Sequence, residues 1–166
     1  MDLNTKTQKT WCPGCGNFLI EKALTEALKE LMRDGFRLEN FVIVSGIGCH
    51  GKIVDYLNLN SFYSLHGRAI PVAEGIKIAN PDLFPIVCVG DGDAYSEGLE
   101  HLIFTAKRNA DITVLVHDNR VFSLTTGQFT PTSPYHFPGR STPKGSPEKP
   151  LNPIELMISL RAPFVA

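Results

Sequence analysis

PIVCVGDGD, residues 85–93, decides the fold, because an apolar run leads there directly into a turn of glycine and aspartate. FVIVS at 41–45, followed by GIGCHG, and ITVLVHDN at 112–119 repeat this arrangement. Short, β-branched runs without polar alternation are typical of strands buried on both faces of a parallel sheet. Helical patterns at 70–80 and 96–109 fit the crossover helices of such a sheet. The sequence therefore predicts an α/β fold in which three polar loops meet at the carboxyl edge of the strands, where ligands bind.

The remaining segments predict elements around this sheet. Residues 17–34 have helical periodicity, with Asn17 as the expected N-cap and Gly35 just beyond the end. The residues expected on the buried face of this helix are Leu24, Leu28, Leu31 and Met32. Residues 130–153 are too rich in proline for a helix or a central strand and indicate an extended, lid-like loop. After it, IELMISLR predicts a short helix and APFVA the start of a strand, and the chain, 1–166, is expected to form one domain.

Composition argues against several classes of protein. The 16 basic and 17 acidic residues give a net charge of −1, so no overall field favours nucleic acid or an anionic membrane. The N-terminal stretch lacks the apolar core of a signal peptide, and no stretch approaches the roughly 18 apolar residues of a membrane span. A cytoplasmic protein is expected. In a reducing compartment the four cysteines favour metal binding or reactive thiols over disulfides.

Two polar motifs suggest a metal-dependent diphosphate site. In GDGD the glycines allow the backbone to approach a phosphate, and Asp91 offers a carboxylate to a divalent cation. Asn119 lies 28 residues after Asp91, one helix and one strand away, so its amide oxygen and the Val121 carbonyl fall on the neighbouring loop. Mg²⁺ prefers such oxygen ligands. Taken alone, GDG is equally consistent with a tight turn in which Asp91 caps the next helix.

The wider sequence resembles the β subunit of the 2-oxoacid:ferredoxin oxidoreductases, thiamine-diphosphate enzymes that include the pyruvate and 2-oxoglutarate enzymes. The resemblance extends from Trp11 to the last residue. It rests on motifs in the order and spacing of that family, namely WCPGCG, SGIGCHGK, HGRAIPVAEGIKIANPDL, GDGD, DN, LTTGQ and TPTS. It implies the thiamine-diphosphate-binding fold, a three-layer α/β sandwich with a mostly parallel sheet, from which the C-terminal part of the family's subunit is absent.

The resemblance also implies roles for individual residues. Asp91, Asn119 and the Val121 carbonyl are implied as magnesium ligands. The residues implied to contact thiamine diphosphate are Ile47, Gly48, Cys49, His50, His66, Gly92, Asp93, Ser123 and Leu124. Lys52 matches a lysine that faces the substrate carboxylate, and Lys52 and His66 are the residues implied in catalysis. From the residues alone, Lys52 is better interpreted as a solvated loop lysine, and His50 and His66 are consistent with hydrogen-bonded loop histidines.

The cysteines form two sets. Cys12 and Cys15 lie in CPGCG, a turn suited to an iron–sulfur cluster, to zinc or to a redox dithiol, and Cys49 lies on the predicted loop edge. The resemblance implies these three as ligands of a 4Fe–4S cluster, with the family's fourth ligand well beyond residue 166, so the sequence is expected to be part of a longer subunit. Zinc held by the three thiols and His50 is the alternative. Cys88, inside an apolar strand, is expected to be a small buried hydrophobe.

By this resemblance the chain takes part in the oxidative decarboxylation of a 2-oxo acid of the pyruvate or 2-oxoglutarate class. Coenzyme A would receive the acyl group, ferredoxin would receive electrons through the cluster, and an α subunit would complete the cofactor pocket. One rival hypothesis is a non-catalytic metal or electron-carrier module in which GDGD is only a turn. Another is a non-oxidative thiamine-dependent decarboxylase, against which the three cysteines argue because that reaction needs no cluster.

Overall fold

The computed structural model describes residues 2–166 and has a sheet of four parallel strands at its centre. In chain order these are β1 (Phe41–Ser45), β2 (Asn60–Tyr63), β3 (Phe84–Gly90) and β4 (Thr113–His117). Their order across the sheet is β2–β1–β3–β4, so the chain runs outward from β1 to β2 and then returns to the other side of β1. The three strands predicted from apolar runs are confirmed. The sequence did not predict β2, because its residues NSFY are exposed along the whole edge strand.

Helices and a small hairpin complete the fold. The helices are α1 (Asn17–Arg33), α2 (Ile53–Tyr56), α3 (Ala69–Ala79), α4 (Leu99–Arg108) and α5 (Pro153–Ser159). The antiparallel hairpin consists of β5 (Val121–Phe122) and β6 (Gln128–Phe129). The predicted helix at 70–80 corresponds to α3, whereas the predicted helix at 96–109 divides into a π-helical turn, Asp93–Glu97, and α4.

Two apolar layers cover the two faces of the sheet. Alternate strand residues point to opposite faces. Ile43 and Cys88 pack with residues of α1 and α2, and Val44 and Val87 pack with residues of α3 and α4. All four of these strand residues are fully buried. The arrangement confirms the predicted three-layer α/β architecture with a parallel sheet.

The structure corrects three details of the prediction. The N-cap of α1 is Gly16 rather than Asn17, whose buried side chain turns inward. Of the residues predicted for the buried face of α1, Leu24 and Leu28 are buried, whereas Leu31 is exposed and Met32 is only half-buried. The segment 162–166 forms no strand, because none of its residues pairs with the sheet.

The proline-rich region predicted as a loop at 130–153 is irregular over 130–152, whereas Pro153 belongs to the helix that follows. Its only β-type pairing among the described residues is an isolated bridge between Gly139 and Thr142. The predicted short helix that follows the loop corresponds to α5, which begins with Pro153 at its first position and has Asn152 as its N-cap. A helix apolar and long enough to span a membrane does not occur between residues 2 and 166.

Candidate cofactor-binding site

A cleft of about 180 Å³ opens where β1, β3 and β4 end. Its lining includes all of the residues that the sequence analysis assigned to the cofactor and to magnesium, namely Ile47, Gly48, Cys49, His50, His66, Asp91, Gly92, Asp93, Asn119, Val121, Ser123 and Leu124. Cys15, two residues before α1, and Asn17, the first residue of α1, also line it. The parallel sheet explains the convergence, because the loops after its strands leave the same edge.

Asp91 is a buried carboxylate at the cleft, with only 2% of its surface exposed. Its Oδ2 atom accepts hydrogen bonds from the hydroxyls of Thr130, at 2.5 Å, and Thr132, at 3.0 Å. Burial raises the pKa of Asp91 above its usual value, and the nearby Asp118 adds to this effect, although the threonine hydroxyls oppose it. A buried carboxylate of this kind is stabilised by a cation.

Asn119 lies on the loop after β4 and faces the same cleft. Its side-chain nitrogen donates to Ser123 Oγ at 2.6 Å, and its Oδ1 accepts from the Val121 backbone nitrogen at 3.1 Å. An amide oxygen has two lone pairs, so one remains for a ligand. The carboxylate of Asp91, the amide oxygen of Asn119 and the Val121 carbonyl form an oxygen set that fits Mg²⁺.

Two histidines surround the second buried carboxylate, Asp93. Its Oδ1 accepts from the Gly67 backbone nitrogen at 2.7 Å and lies 2.9 Å from His66 Nδ1, without hydrogen-bond geometry to that nitrogen. Its Oδ2 lies 3.7 Å from His50 Nε2. His50 Nε2, His66 Nδ1 and Asp93 Oδ2 are buried without a protein hydrogen-bond partner. Buried polar atoms usually have partners, so this group fits a site that receives a polar ligand.

Glycines let the cleft loops approach each other closely. A Cβ atom at Gly92 would collide with the ring of Phe122. A Cβ atom at Gly90 would lie 2.8 Å from Nδ1 of His50, and one at Gly48 would lie 2.6 Å from Cε1 of the same ring. The imidazole of His50 is therefore held between two glycines, which agrees with the glycine-rich motifs at the two strand ends.

His117, the last residue of β4, was not identified from the sequence as a site residue. It lies in the lining of the cleft, 8% exposed, and its Nδ1 is 2.9 Å from Asn17 Oδ1. Burial, together with the neighbouring His50, lowers the pKa of His117 to about 4. Thr130 and Thr132 were also missed. The only available signal for these three residues was their position beside strand ends and family motifs, which does not reveal their contacts.

The cysteine segments are adjacent, but their thiols do not form a finished metal site. The Trp11 indole nitrogen donates to the Cys49 carbonyl at 2.6 Å, and the Cys15 backbone nitrogen donates to the Cys12 carbonyl at 3.0 Å. Cys15 and Cys49 line the cleft, whereas Cys12 is exposed outside it. Across residues 2–166, no three His, Cys, Asp or Glu side chains are arranged to hold a metal ion. The residues therefore do not fit a preformed iron–sulfur or zinc centre.

Cys88 and Lys52 lie outside the cleft lining. Cys88 is fully buried, and burial raises the pKa of its thiol to about 12, as expected of a structural cysteine. The ammonium group of Lys52 donates to Thr10 Oγ1 at 3.0 Å. Thr10 precedes Trp11, so this hydrogen bond links the loop after β1 to the N-terminal segment that carries CPGCG.

Residues 46–166 match the family model described as thiamine pyrophosphate enzyme, C-terminal TPP binding domain. The chain is 43% identical over 164 residues to 2-oxoglutarate oxidoreductase subunit KorB of Mycobacterium tuberculosis. This match covers 99% of this chain and 43% of that protein. It is 46% identical over 158 residues to the 2-oxoacid:ferredoxin oxidoreductase subunit beta of Saccharolobus solfataricus, with 94% of this chain and 51% of that protein covered.

A solved structure is similar throughout most of the chain. It is a 2-oxoglutarate:ferredoxin oxidoreductase from Magnetococcus marinus with 2-oxoglutarate, coenzyme A and succinyl-CoA bound, and the TM-score is 0.90 at 38% identity. The match covers 95% of this chain and 53% of that one. The chain thus spans about half the length of the relatives it matches.

Proposed function

Because the chain belongs to the thiamine pyrophosphate enzymes through their C-terminal TPP-binding domain, we propose that it is the cofactor-binding part of a 2-oxoacid:ferredoxin oxidoreductase β subunit. The observation that carries the proposal is the convergence in one cleft of every residue assigned from sequence to the cofactor and to magnesium. The names of the relatives agree with this activity. The reaction is the oxidative decarboxylation of a 2-oxo acid, of the 2-oxoglutarate or pyruvate class, to an acyl-coenzyme A and carbon dioxide.

Magnesium and the diphosphate would be held at the GDGD end of the cleft. The protein ligands of the cation would be Asp91, Asn119 and the carbonyl of Val121, a set of one carboxylate and two neutral oxygens among the residues that line the cleft. Such a set leaves coordination positions for phosphate oxygens. When bound, thiamine diphosphate supplies the electron sink that stabilises the carbanion formed as carbon dioxide leaves.

The protein contributes polar side chains that line the cleft and would position the cofactor and the substrate. The His66 ring lies beside Asp93, with its Nδ1 atom 2.9 Å from Asp93 Oδ1, and presents a polar group to the cleft. His50, between Gly48 and Gly90, presents a fixed ring to the same cavity. Lys52 pairs with the carboxylate of the 2-oxo acid, for which its ammonium must leave Thr10 and turn toward the cleft.

An iron–sulfur cluster held by Cys12, Cys15 and Cys49 is the finer part of the proposal. The Trp11–Cys49 hydrogen bond, which holds the two cysteine segments side by side, supports it. Three thiols need a fourth ligand and a rearrangement of the CPGCG turn, because the described side chains do not form a closed metal site. Such a cluster would supply the path for electrons to ferredoxin.

Other chains and molecules are required. An α subunit would complete the cofactor pocket, since the cleft of about 180 Å³ is smaller than the 300–1,000 Å³ typical of pockets that enclose a whole ligand. Ferredoxin, coenzyme A and the 2-oxo acid are the remaining partners, whereas nucleic acid and membrane are not. The four free thiols support a reducing, cytoplasmic setting.

Calorimetric titration with thiamine diphosphate, with and without Mg²⁺, tests the site. The protein, together with any partner subunit that copurifies, should bind only with the cation, and Asp91→Ala should abolish binding. Asp82→Ala is the matched control, because this aspartate is exposed and lies outside the cleft. Absence of binding to the unaltered protein, or unchanged affinity in Asp91→Ala, would contradict the proposal.

A non-oxidative thiamine-dependent decarboxylase is the second candidate. The observation that favours it is that no three thiols among residues 2–166 are arranged to hold a metal ion. This candidate shares the thiamine site but predicts release of an aldehyde instead of reduction of ferredoxin. Assay of both products with the same protein separates the two reactions.

A further inference from the structure

The segment TPTS, residues 130–133, is buried although it opens an irregular, proline-rich loop. Thr130, Thr132 and Ser133 are 2%, 5% and 3% exposed. Buried hydroxyls need hydrogen-bond partners, since an unpaired one costs about 1–3 kcal/mol. In this segment most of the partners belong to other loops, so the burial joins distant parts of the chain.

The hydroxyls of TPTS connect the two loops that carry the proposed magnesium ligands. Thr130 and Thr132 both contact Oδ2 of Asp91, on the loop after β3. Thr132 Oγ1 also lies 2.9 Å from Asp118 Oδ1, on the loop after β4, and Ser133 Oγ donates to the Arg120 carbonyl at 2.6 Å in that same loop. The segment therefore bridges the ends of two neighbouring strands.

The contacts within and behind TPTS make this bridge rigid. Ser133 Oγ accepts from the Thr130 backbone nitrogen at 2.8 Å, which closes the segment into a turn. The Leu151 backbone nitrogen donates to the Pro131 carbonyl at 2.7 Å. Both ends of the proline-rich loop are thus fastened at the same place, directly behind Asp91.

We propose that Thr130 and Thr132 are positioning residues that hold Asp91 in the orientation required by the cation, an inference that rests on the proposed function. Both hydroxyls contact Oδ2 and leave Oδ1 as the carboxylate oxygen for the metal. They also stabilise the buried charge before the cation arrives. A carboxylate that is ordered in advance loses less conformational freedom on binding, so the cation binds more tightly.

Thr132 has a second role in the same arrangement. Its single hydroxyl proton can serve only one of its two carboxylate neighbours at a time, and Thr130 donates to Asp91 independently. Because Thr132 Oγ1 lies within 3.0 Å of both carboxylates, it links Asp118, and with it the loop that carries Asn119, to Asp91. Loss of either hydroxyl is expected to weaken cation binding without removing a group that touches the cation.

The test compares Thr130→Val and Thr132→Val with the conservative variants Thr130→Ser and Thr132→Ser. Calorimetry measures the Mg²⁺ concentration at which thiamine diphosphate binding is half-maximal. Each valine variant should need about 10–100 times more Mg²⁺, as is typical when a hydrogen-bond partner of a metal ligand is removed. The serine variants should restore most of the affinity, and excess Mg²⁺ should restore full cofactor occupancy in all four.

Thr105→Val is the matched control, because Thr105 is equally buried, at 5%, and donates to Glu74 at 2.7 Å away from the cleft. It should leave the Mg²⁺ requirement unchanged. A wild-type requirement in Thr132→Val, or an equal increase in Thr105→Val, would overturn the positioning role while the proposed function stands. If the unaltered protein does not bind thiamine diphosphate, the proposed function itself fails. Thermal unfolding without ligands verifies that each variant is folded.

Discussion

His117 Nδ1 lies 2.9 Å from Asn17 Oδ1, and this pair joins the last residue of β4 to the first residue of α1. An amide oxygen only accepts hydrogen bonds, so the proton of the neutral imidazole is on Nδ1. Nε2 then carries a lone pair, and it is buried without a protein partner. A proton on this buried nitrogen would lack a protein acceptor, so the arrangement favours the neutral ring, in agreement with the pKa of about 4.

The first prediction concerns acid stability. The pKa of His117 is about 4 in the folded protein, below the 6.5 of an unperturbed histidine, so folding favours the neutral ring. The contribution of neutral His117 to the free energy of unfolding is complete above pH 6.5. It is lost as the pH falls from 6.5 to 4, which lowers the stability by an amount on the order of 3 kcal/mol. Urea unfolding at several pH values should show that His117→Phe loses less stability over this range than the unaltered protein.

His101→Phe is the control for that measurement, since its ring is partly exposed on α4 beside Glu100. The stability of this variant should change with pH as that of the unaltered protein does. If the stability of His117→Phe does so as well, burial of a neutral His117 does not contribute to acid sensitivity.

The second prediction concerns Gly92. Alanine at this position would place a methyl group against the ring of Phe122, so Gly92→Ala should shift that ring and weaken cofactor binding about tenfold or more. Gly75→Ala is the control, because its added methyl group meets nothing within 4 Å in the middle of α3. It should stabilise the protein by about 0.5–1 kcal/mol and leave binding unchanged. Equal cofactor affinities in both variants would refute the close approach.

The third prediction concerns Lys52. If its ammonium pairs with the carboxylate of the 2-oxo acid, Lys52→Met should raise the KM for 2-oxoglutarate much more than it weakens thiamine diphosphate binding. Lys107→Met, at the exposed end of α4, should change neither. Steady-state kinetics and calorimetry on the same samples make the comparison. Equal damage to substrate and cofactor binding would indicate that the hydrogen bond to Thr10 has a structural role.

The fourth prediction concerns the cysteines. Anaerobically purified protein, with its natural partner and any further part of its subunit, should be brown and should bleach with dithionite. Serine in place of Cys12, Cys15 or Cys49 should abolish ferredoxin reduction but preserve magnesium-dependent cofactor binding, because other residues hold the diphosphate. Cys88→Ser should keep the colour and lower stability, since it places a hydroxyl among apolar side chains. Colourless protein with stoichiometric zinc would contradict the cluster.

The sheet and the position of the cleft could be predicted because the information was local. Each apolar run, such as the one at 85–89, specifies a buried strand, and parallel topology then brings the polar ends together. The edge strand β2 could not be predicted, because its exposed residues lack an apolar pattern. Its pairing with β1 depends on backbone hydrogen bonds, which leave little trace in composition.

The contacts behind the site were not predictable either. Asparagine is a residue type that often caps helices, yet the side chain of Asn17 contacts His117, 100 residues away in the sequence. Thr130 and Thr132 stand in a proline-rich stretch typical of exposed loops, and only the tertiary structure brings them to Asp91. Side-chain hydrogen bonds between distant segments depend on geometry that residue types alone do not specify.

The strand order β2–β1–β3–β4 has a consequence for how the protein acquires its activity during synthesis. The loop after β1 carries Cys49 and His50, but its neighbours at the site follow β3 and β4, which are synthesised much later. The cleft therefore cannot exist on the ribosome until His117 and the segment up to Ser133 have emerged from the exit tunnel. Contacts between residues so distant in sequence also form slowly. Cofactor capture is thus a late event, and an emerging chain that has folded only as far as β2 has nothing with which to hold a diphosphate.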